Sequence, residues 1–197
     1  MSKVPVTAFA GVVLALSSAT EGHAQGVSLG VVGGVNVATL AVEGYDAAGV
    51  GAKVGINTGL RLCLGLGPRF GVMLGVLYSR KGGTVHRAQS GDVDYALHYI
   101  DFPILAQLTI PTDEAGKLKV HLAVGPAVEY EADWVWGSST GGALMALGGL
   151  DIRAGRGAVI LDAAYSLGLS GIDTRAEGLV SRKNRTLSFL VGYSFGL

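Results

Sequence analysis

Residues 116–134 have the sequence GKLKVHLAVGPAVEYEADW, in which apolar side chains alternate with charged or very small ones. Successive side chains of an extended strand point to opposite sides of the sheet. The pattern therefore predicts a strand with an apolar face from Leu118 to Tyr130 and a polar or small face from Lys119 to Glu131. A half-buried strand of a soluble sandwich and a strand of a membrane barrel both have this pattern, so the rest of the chain must decide between them.

Composition makes the chain unusual for a soluble domain. Its 197 residues carry no formal net charge, only 15% are charged, 32 are glycine, and the mean hydropathy is +0.45. Soluble domains have about 25% charged residues. No uninterrupted apolar run reaches the roughly 18 residues that predict a membrane-spanning helix. The balanced charge argues against a nucleic-acid partner, and a single cysteine, Cys63, excludes an internal disulfide.

The first residues resemble a secretory signal peptide. Lys3 precedes a small and apolar run at 8–16, which is followed by Gly22-His23-Ala24. Small residues before a cleavage site are typical of such peptides. We predict a signal peptide at 1–24, cleaved after Ala24, and one mature domain at 25–197. An N-terminal membrane anchor is the alternative, but it requires a longer apolar run.

Eight segments of the mature chain have the length and pattern of barrel strands. We predict strands at 27–38, 53–64, 70–81, 95–110, 118–131, 143–154, 158–169 and 185–197. The connectors alternate between short ones, at 65–69, 111–117 and 155–157, and longer ones, at 39–52, 82–94, 132–142 and 170–184. Short periplasmic turns and longer external loops are typical of outer-membrane barrels. The prediction is an all-β, eight-stranded antiparallel up-and-down transmembrane β-barrel with both termini in the periplasm.

The two faces of these strands differ in the same way throughout. By parity, Arg80 and Arg185 are the only charged residues on the apolar face, both at predicted external strand ends. The opposite face mixes glycine and alanine with the charged residues Arg61, Asp101, Lys119, His121, Glu129, Glu131, Asp151, Arg153 and Asp162. Small residues suit the crowded interior of an eight-stranded cylinder, and closure satisfies every backbone group, as hydrocarbon demands. A lipocalin-like soluble barrel, the alternative, would have the reverse arrangement.

Aromatic residues fall near both ends of the predicted strands, as interfacial girdles would. Phe70, Tyr193 and Phe195 lie near the periplasmic ends. Near the external ends lie Tyr78, Tyr95, Tyr99 and Tyr130, with Trp134 and Trp136 just beyond.

Several short motifs, in this order, resemble the PorT-like outer-membrane β-barrel proteins of the porin family. They include Leu77-Tyr78-Ser79-Arg80-Lys81-Gly82, Tyr99-Ile100-Asp101-Phe102-Pro103-Ile104-Leu105 and the terminal Gly192-Tyr193-Ser194-Phe195. The resemblance implies an eight-stranded barrel without a defined enzymatic site. One departure is Gly75, where many relatives are expected to carry an inward acidic residue. The C-terminus is similar to the signal read by the barrel-assembly machinery, although it ends in Leu197 instead of an aromatic residue.

Charged residues of the inward face predict a salt-bridged plug, because buried charges persist only when they are paired. His121 and Glu129 are about 26 Å apart at roughly 3.3 Å per residue, so they cannot share a proton. Near the periplasmic end, hairpin register predicts Arg153 beside His121 and Asp151 beside Asp162, with Lys119 close by. At the other mouth, Glu129 and Glu131 could bind a cation or, as we expect, pair with Arg80, Lys81 or Arg87.

Three classes of function fit this chain. We expect a closed, non-enzymatic barrel in the outer membrane of a diderm bacterium, monomeric, surrounded by lipid and inserted by the assembly machinery. It would act through external loops, in which Arg87, Trp134, Trp136 and Arg175 are candidate contacts for a protein or surface ligand. The alternatives are a small-solute channel and a lipid-modifying enzyme that uses His86 or His98 with Ser90, Asp92 or Asp94. No motif predicts a cofactor or a metal.

Overall fold

Eight antiparallel strands close into one barrel in the computed structural model, which describes residues 26–44, 47–87, 93–133, 137–169 and 179–196. Each strand pairs with its neighbours in chain order, and β1 pairs with β8 to close the sheet. The strands are β1 Val27–Gly44, β2 Ala47–Gly65, β3 Phe70–Arg87, β4 Val93–Pro111, β5 Leu118–Asp133, β6 Gly137–Ala154, β7 Gly157–Gly168 and β8 Leu179–Gly196. The predicted eight-stranded all-β barrel is confirmed. The predicted signal peptide at 1–24 lies outside the described residues.

The barrel has two distinct ends. The turn end carries connections 66–69, 112–117 and 155–156, together with residues 26 and 196, and the loop end carries the other four connections. At the turn end, Gly155 has φ +63°, a left-handed conformation that glycine adopts without a steric penalty. In turn 112–117 the backbone N–H of Leu118 donates to Asp113 Oδ1 at 3.0 Å, and this bond holds the pKa of Asp113 below its ordinary value. The side of the membrane on which each end lies stays a prediction.

Seven of the eight strands extend further towards the loop end than the sequence pattern predicts, and β7 ends at Gly168, one residue short of the predicted end. β1 continues to Gly44 where 38 was expected, and β8 begins at Leu179 where 185 was expected. At the turn end every boundary agrees within two residues. Alternation of apolar and polar residues marks only the part of a strand that has lipid on one face and the lumen on the other. Beyond the membrane both faces meet water, so the alternation ends although the hairpin hydrogen bonds continue.

The two faces of the sheet have the predicted chemistry. Large apolar side chains cover the outside, such as Val54, Phe70 and Leu122, which are 69%, 67% and 52% exposed. Charged and amide side chains point inward and are buried, with His121 and Asn36 at 0%. A soluble lipocalin-like arrangement is therefore excluded. One placement in the predicted outer aromatic girdle is wrong: Tyr99 lies inside the lumen, because odd-numbered residues of β4 face inward.

An apolar layer fills the middle of the lumen and was not predicted. Its buried members are Val32, Met73, Leu77, Leu105, Met145, Leu147 and Leu190, with alanines from β5, β6 and β7 packed beside them. Leu105 is fully buried. Ile160 is also fully buried but lies nearer the turn end, where it pairs in register with Asp151. The barrel thus has an ordinary packed core at mid-height. No helix in the described ranges is long and apolar enough to cross a membrane.

Candidate functional site

Four charged side chains meet inside the barrel near the turn end; we name them the turn-end cluster (Arg61, His121, Asp151, Asp162). Arg61 Nη1 lies 2.8 Å from Asp162 Oδ2, and Arg61 Nη2 lies 3.2 Å from Asp151 Oδ1. His121 Nδ1 lies 3.1 Å from Asp151 Oδ2, and its Nε2 lies 2.8 Å from Asp162 Oδ1. Each carboxylate therefore receives one contact from the guanidinium and one from the imidazole, which makes a closed ring of ion pairs.

Glycines on intervening strands allow this ring to form. His121 and Asp162 both have Gly149 of β6 as their Cα partner. A Cβ at position 149 would strike the Asp162 carboxylate and lie 2.6 Å from His121 Nε2. Arg61 is flanked in register by Gly30 and Gly75. Gly75 stands where the family resemblance leads one to expect an acid, and Arg61 instead reaches across the lumen to β6 and β7.

The contacts of His121 suit an imidazole that is protonated on both ring nitrogens. Each nitrogen faces a carboxylate oxygen that can only accept a hydrogen bond. A neutral imidazole has one N–H and would turn a lone pair towards the second carboxylate. As an imidazolium, His121 together with Arg61 balances the two aspartates. The turn-end cluster is then neutral as a unit, which is what a buried group of charges requires.

A second group, the loop-end cluster (Lys81, Asp101, Glu129), lies on the other side of the apolar layer. Lys81 Nζ is 2.9 Å from Asp101 and 2.6 Å from Glu129 Oε1. It also lies 4.8 Å from the centroid of the Tyr99 ring, a cation–π arrangement. Ser166 donates to Glu129 at 3.3 Å. Lys81 is 3% exposed, so its charge is neutralised almost entirely by these neighbours.

The apolar layer separates the two clusters. The cavity beside it has a volume of about 20 Å³ and is lined by residues such as Leu105, Met145 and Leu190, with Arg61 and Asp162 at its edge. A site of this size holds about one water molecule. Over the described residues, the lumen therefore contains two ion-pair clusters with an apolar layer between them.

The predicted neighbourhood of Arg153 is wrong. Arg153 pairs in register with Ala158, and its backbone N–H donates to Lys117 O at 2.7 Å, so it is further from His121 than predicted. It lies exposed with Lys119 at the mouth of the turn end, beside a cavity of about 240 Å³. The guanidinium that binds Asp151 and Asp162 comes instead from β2, because Arg61 crosses the lumen.

The predicted residues at the other mouth divide into two groups. Glu129 binds Lys81, and Glu131 accepts a hydrogen bond from Tyr99 Oη at 3.3 Å. Arg80 points outward and does not belong to the lumen. Trp134, Trp136 and Arg175 lie outside the described residues, and the Arg87 side chain does too, although its backbone is in β3.

Three lumen residues contribute more than the sequence pattern indicates. Lys81, one of three bases predicted to pair with Glu129 or Glu131, holds the loop-end cluster together. Tyr99 and Asn184 also lie in the lumen, where Asn184 Nδ2 donates to Tyr99 Oη at 2.9 Å. Parity along β3, β4 and β8 is the signal that places all three inside.

The structure describes only some of the residues of the lipid-modifying alternative. His98 points outward, with Nδ1 2.7 Å from Tyr78 Oη. Ser90 and Asp92 lie outside the described residues, as do the side chains of His86 and Asp94. Within the described part of the chain, no group of three or more His, Cys, Asp or Glu residues is placed to hold a metal ion.

Solved structures similar to this chain include outer membrane proteins. The chain is similar to the outer membrane protein OprG from Pseudomonas aeruginosa, with a TM-score of 0.59, 13% identity, and coverage of 89% of this chain and 98% of that one. Neisserial surface protein A matches with a TM-score of 0.52 at 18% identity, over 85% and 97% of the two chains. Outer membrane protein AlkL, solved in lipid bilayers, matches with a TM-score of 0.52 at 14% identity, over 90% and 93%. At these identities the likeness establishes the fold alone.

A family model supplies the sequence relationship. No protein of curated function matches the chain. The model described as outer membrane protein beta-barrel domain matches residues 19–133, which is more than half of the chain. The narrower PorT-like resemblance stays a prediction. The match, the closed barrel and its apolar outer face agree, and the chain belongs to the outer membrane protein beta-barrel domain family of the bacterial outer membrane.

Proposed function

We propose that this protein is a closed, non-enzymatic outer-membrane barrel that acts through contacts made at its loop end. The observation that carries the proposal is the apolar layer between the two ion-pair clusters. Leu105 is fully buried there, and the adjoining cavity is about 20 Å³. A hydrated ion would have to displace packed hydrocarbon and break ion pairs on both sides.

The charges in the lumen support a structural role for it. A catalytic or transport site needs groups that are available to a substrate. Here the carboxylates of Asp101, Glu129, Asp151 and Asp162 are all held by Arg61, Lys81 or His121. Groups committed to one another in this way are not free to bind a substrate, and removal of one partner destabilises the fold. Only the two ends of the barrel then remain for specific contacts. The hairpins extend further at the loop end. The candidate contacts predicted there from the sequence are Arg87, Trp134, Trp136 and Arg175.

Planar-bilayer recording of the refolded protein tests the closed lumen. We expect no steady single-channel current at physiological salt. Truncation of the blocking layer by the double substitution Leu105→Ala and Met145→Ala should be compared with the lipid-face substitution Val124→Ala. Current that appears only in the first variant would identify the layer as the block. Large steady currents from the unaltered protein would instead favour a small-solute channel, and lipid turnover by the same preparation would favour an enzyme.

The role of the loop end is tested by shortening one connection. Because β8 begins at Leu179, the connection between β7 and β8 can be shortened without removing strand residues. The variant replaces 171–177 by a short Gly-Ser segment. We expect the variant to keep the gel mobility of a folded barrel and to lose cross-linked partner species seen with the unaltered protein in outer-membrane vesicles. Retention of every such species would contradict a role for this loop.

Export and assembly complete the proposal. Residues 1–24 act as a signal peptide, the assembly machinery inserts residues 25–197, and the barrel is a monomer with its termini in the periplasm. Intact mass of the protein purified from outer membranes should correspond to a chain that starts at Gln25. A protease added to whole cells should cut connections of the loop end and spare the three turns of the turn end.

A further inference from the structure

Three polar side chains form a group on the outer, lipid-facing surface of β3 and β4; we name it the rim group (Tyr78, Arg80, His98). Arg80 and His98 are Cα partners across the two strands, and both side chains are exposed. Tyr78 Oη lies 2.7 Å from His98 Nδ1. The two rings are stacked, with centroids 6.0 Å apart and an interplanar angle of 29°. The rim group is therefore an organised site and not three scattered polar residues.

Its height on the barrel corresponds to the edge of the hydrocarbon. Ten residue steps separate Phe70 at the turn end of β3 from Arg80, which is about 33 Å along the strand at roughly 3.3 Å per step. A strand tilted by about 40° rises roughly 25 Å over that length, the usual height of the apolar band. The outward residues change accordingly, from Val76 through Tyr78 to Arg80. Arg80 and His98 thus lie at the level of the lipid headgroups.

The rim group has no partner of opposite charge in the described part of the chain. The outward neighbours of Arg80 and His98 towards the membrane are Val76, Tyr78 and Ile100, none of which carries a charge. When the Tyr78 hydroxyl donates to His98 Nδ1, the ring proton is on Nε2 and can be donated to a ligand. A guanidinium and an imidazole N–H side by side match a tetrahedral oxyanion, and the guanidinium fork suits phosphate.

We propose that the rim group binds the phosphate of an anionic lipid headgroup in the leaflet at the loop end. Arg80 supplies the charge and a two-pronged set of donors, His98 supplies one further N–H, and Tyr78 is a positioning residue that fixes the imidazole. A lipid is the occupant because the site is continuous with the apolar band below it, where acyl chains pack. Free phosphate would gain the charge but not that contact.

Arg185 provides a matched control. It also points outward near the loop end, on β8, but its partners in register are Leu167 and Thr39, and neither is a histidine. An isolated cation at a membrane surface attracts anionic lipid in general. The rim group should add selectivity for one bound phosphate, which Arg185 alone should not.

Native mass spectrometry of the detergent-solubilised barrel, titrated with phosphatidic acid or phosphatidylcholine, tests the proposal. We expect one phosphatidic acid to bind more tightly than phosphatidylcholine. Arg80→Gln and His98→Gln should each weaken phosphatidic acid binding about fivefold, the change expected for loss of one favourable headgroup contact. Tyr78→Phe, which keeps the ring, should cause a smaller loss, and Arg185→Gln should change the affinity less than twofold.

The outcomes separate the possible sources of binding. Unchanged affinity in Arg80→Gln and His98→Gln, or an equal loss in Arg185→Gln, would overturn the site. Displacement of the lipid by millimolar inorganic phosphate would overturn the lipid as its occupant. Each variant lies outside the lumen, and its gel mobility before and after heating verifies that the barrel is folded in the sample.

Discussion

Arg61 on β2 and Asp162 on β7 meet inside the barrel, with Nη1 and Oδ2 2.8 Å apart, although 101 residues separate them in the chain. Both side chains are almost fully buried. Desolvation of an unpaired ion costs several kcal/mol, so each residue is stable in the lumen only when the other is in place. Because the two residues lie on β2 and β7, this ion pair can form only when the barrel has closed.

Removal of one charge from this pair should be costly. Asp162→Asn leaves Arg61 and His121 with a single shared carboxylate, and we expect a loss of about 3 to 5 kcal/mol in the free energy of unfolding. Adding Arg61→Met should recover part of that loss. Urea titration with gel mobility as the readout measures both, and Arg153→Gln, exposed at the same end, should change stability by less than about 0.5 kcal/mol. Losses that simply add in the double variant would contradict the coupling.

Sequence pattern was sufficient for the fold because one physical rule acts along every strand. Parity assigned residues such as Leu122 to the outside and His121 to the lumen, and both assignments hold in the structure. Loop-end strand boundaries were missed because alternation ends before hairpin hydrogen bonding does, as at Gly44. The partners of Arg61 could not be predicted, since they depend on which long side chain crosses the lumen. Gly149 makes His121 and Asp162 neighbours, a relation that only the three-strand register reveals.

Substitution of two adjacent glycines of β1 by alanine should affect barrel assembly to very different degrees. A Cβ at Gly34 would strike the backbone carbonyl oxygen of Phe189, which cannot move without disturbing the β1–β8 closure. At Gly33 the nearest atom is Thr58 Oγ1 at 3.4 Å, an ordinary contact. We expect Gly34→Ala to lower the yield of heat-modifiable barrel severely and Gly33→Ala to have little effect. Equal yields of the two variants would show that the β1–β8 pair can accommodate a Cβ at position 34, contrary to this prediction.

A charged residue on the lipid-facing surface at mid-height should destabilise the barrel in the membrane. Leu122 and Leu161 are both outward and exposed on the isolated barrel. Arginine at either position should cost about 2 to 4 kcal/mol near the midplane of the bilayer. Folded barrel in the outer membrane, measured by heat modifiability, should fall. The inward substitution Ala123→Ser adds one hydroxyl inside the lumen and should be mild. Normal levels of the Leu122→Arg and Leu161→Arg variants would mean that the assigned lipid face is wrong.

Lys81 should be the least replaceable residue of the loop-end cluster. Asp101 and Glu129 are Cα partners on β4 and β5, and like charges directly opposite one another destabilise a sheet. Lys81 reaches both carboxylates, at 2.9 Å and 2.6 Å. Lys81→Met leaves two buried acids facing each other, and we expect a loss of about 3 to 5 kcal/mol in the free energy of unfolding. Addition of Glu129→Gln should restore much of the lost stability, because an amide can donate to Asp101.

Urea midpoints measure these losses, and Lys119→Met, exposed at the turn end, is the control that should change stability little. A mild effect of Lys81→Met, or no recovery in the double variant, would mean that this cluster does not hold the lumen together.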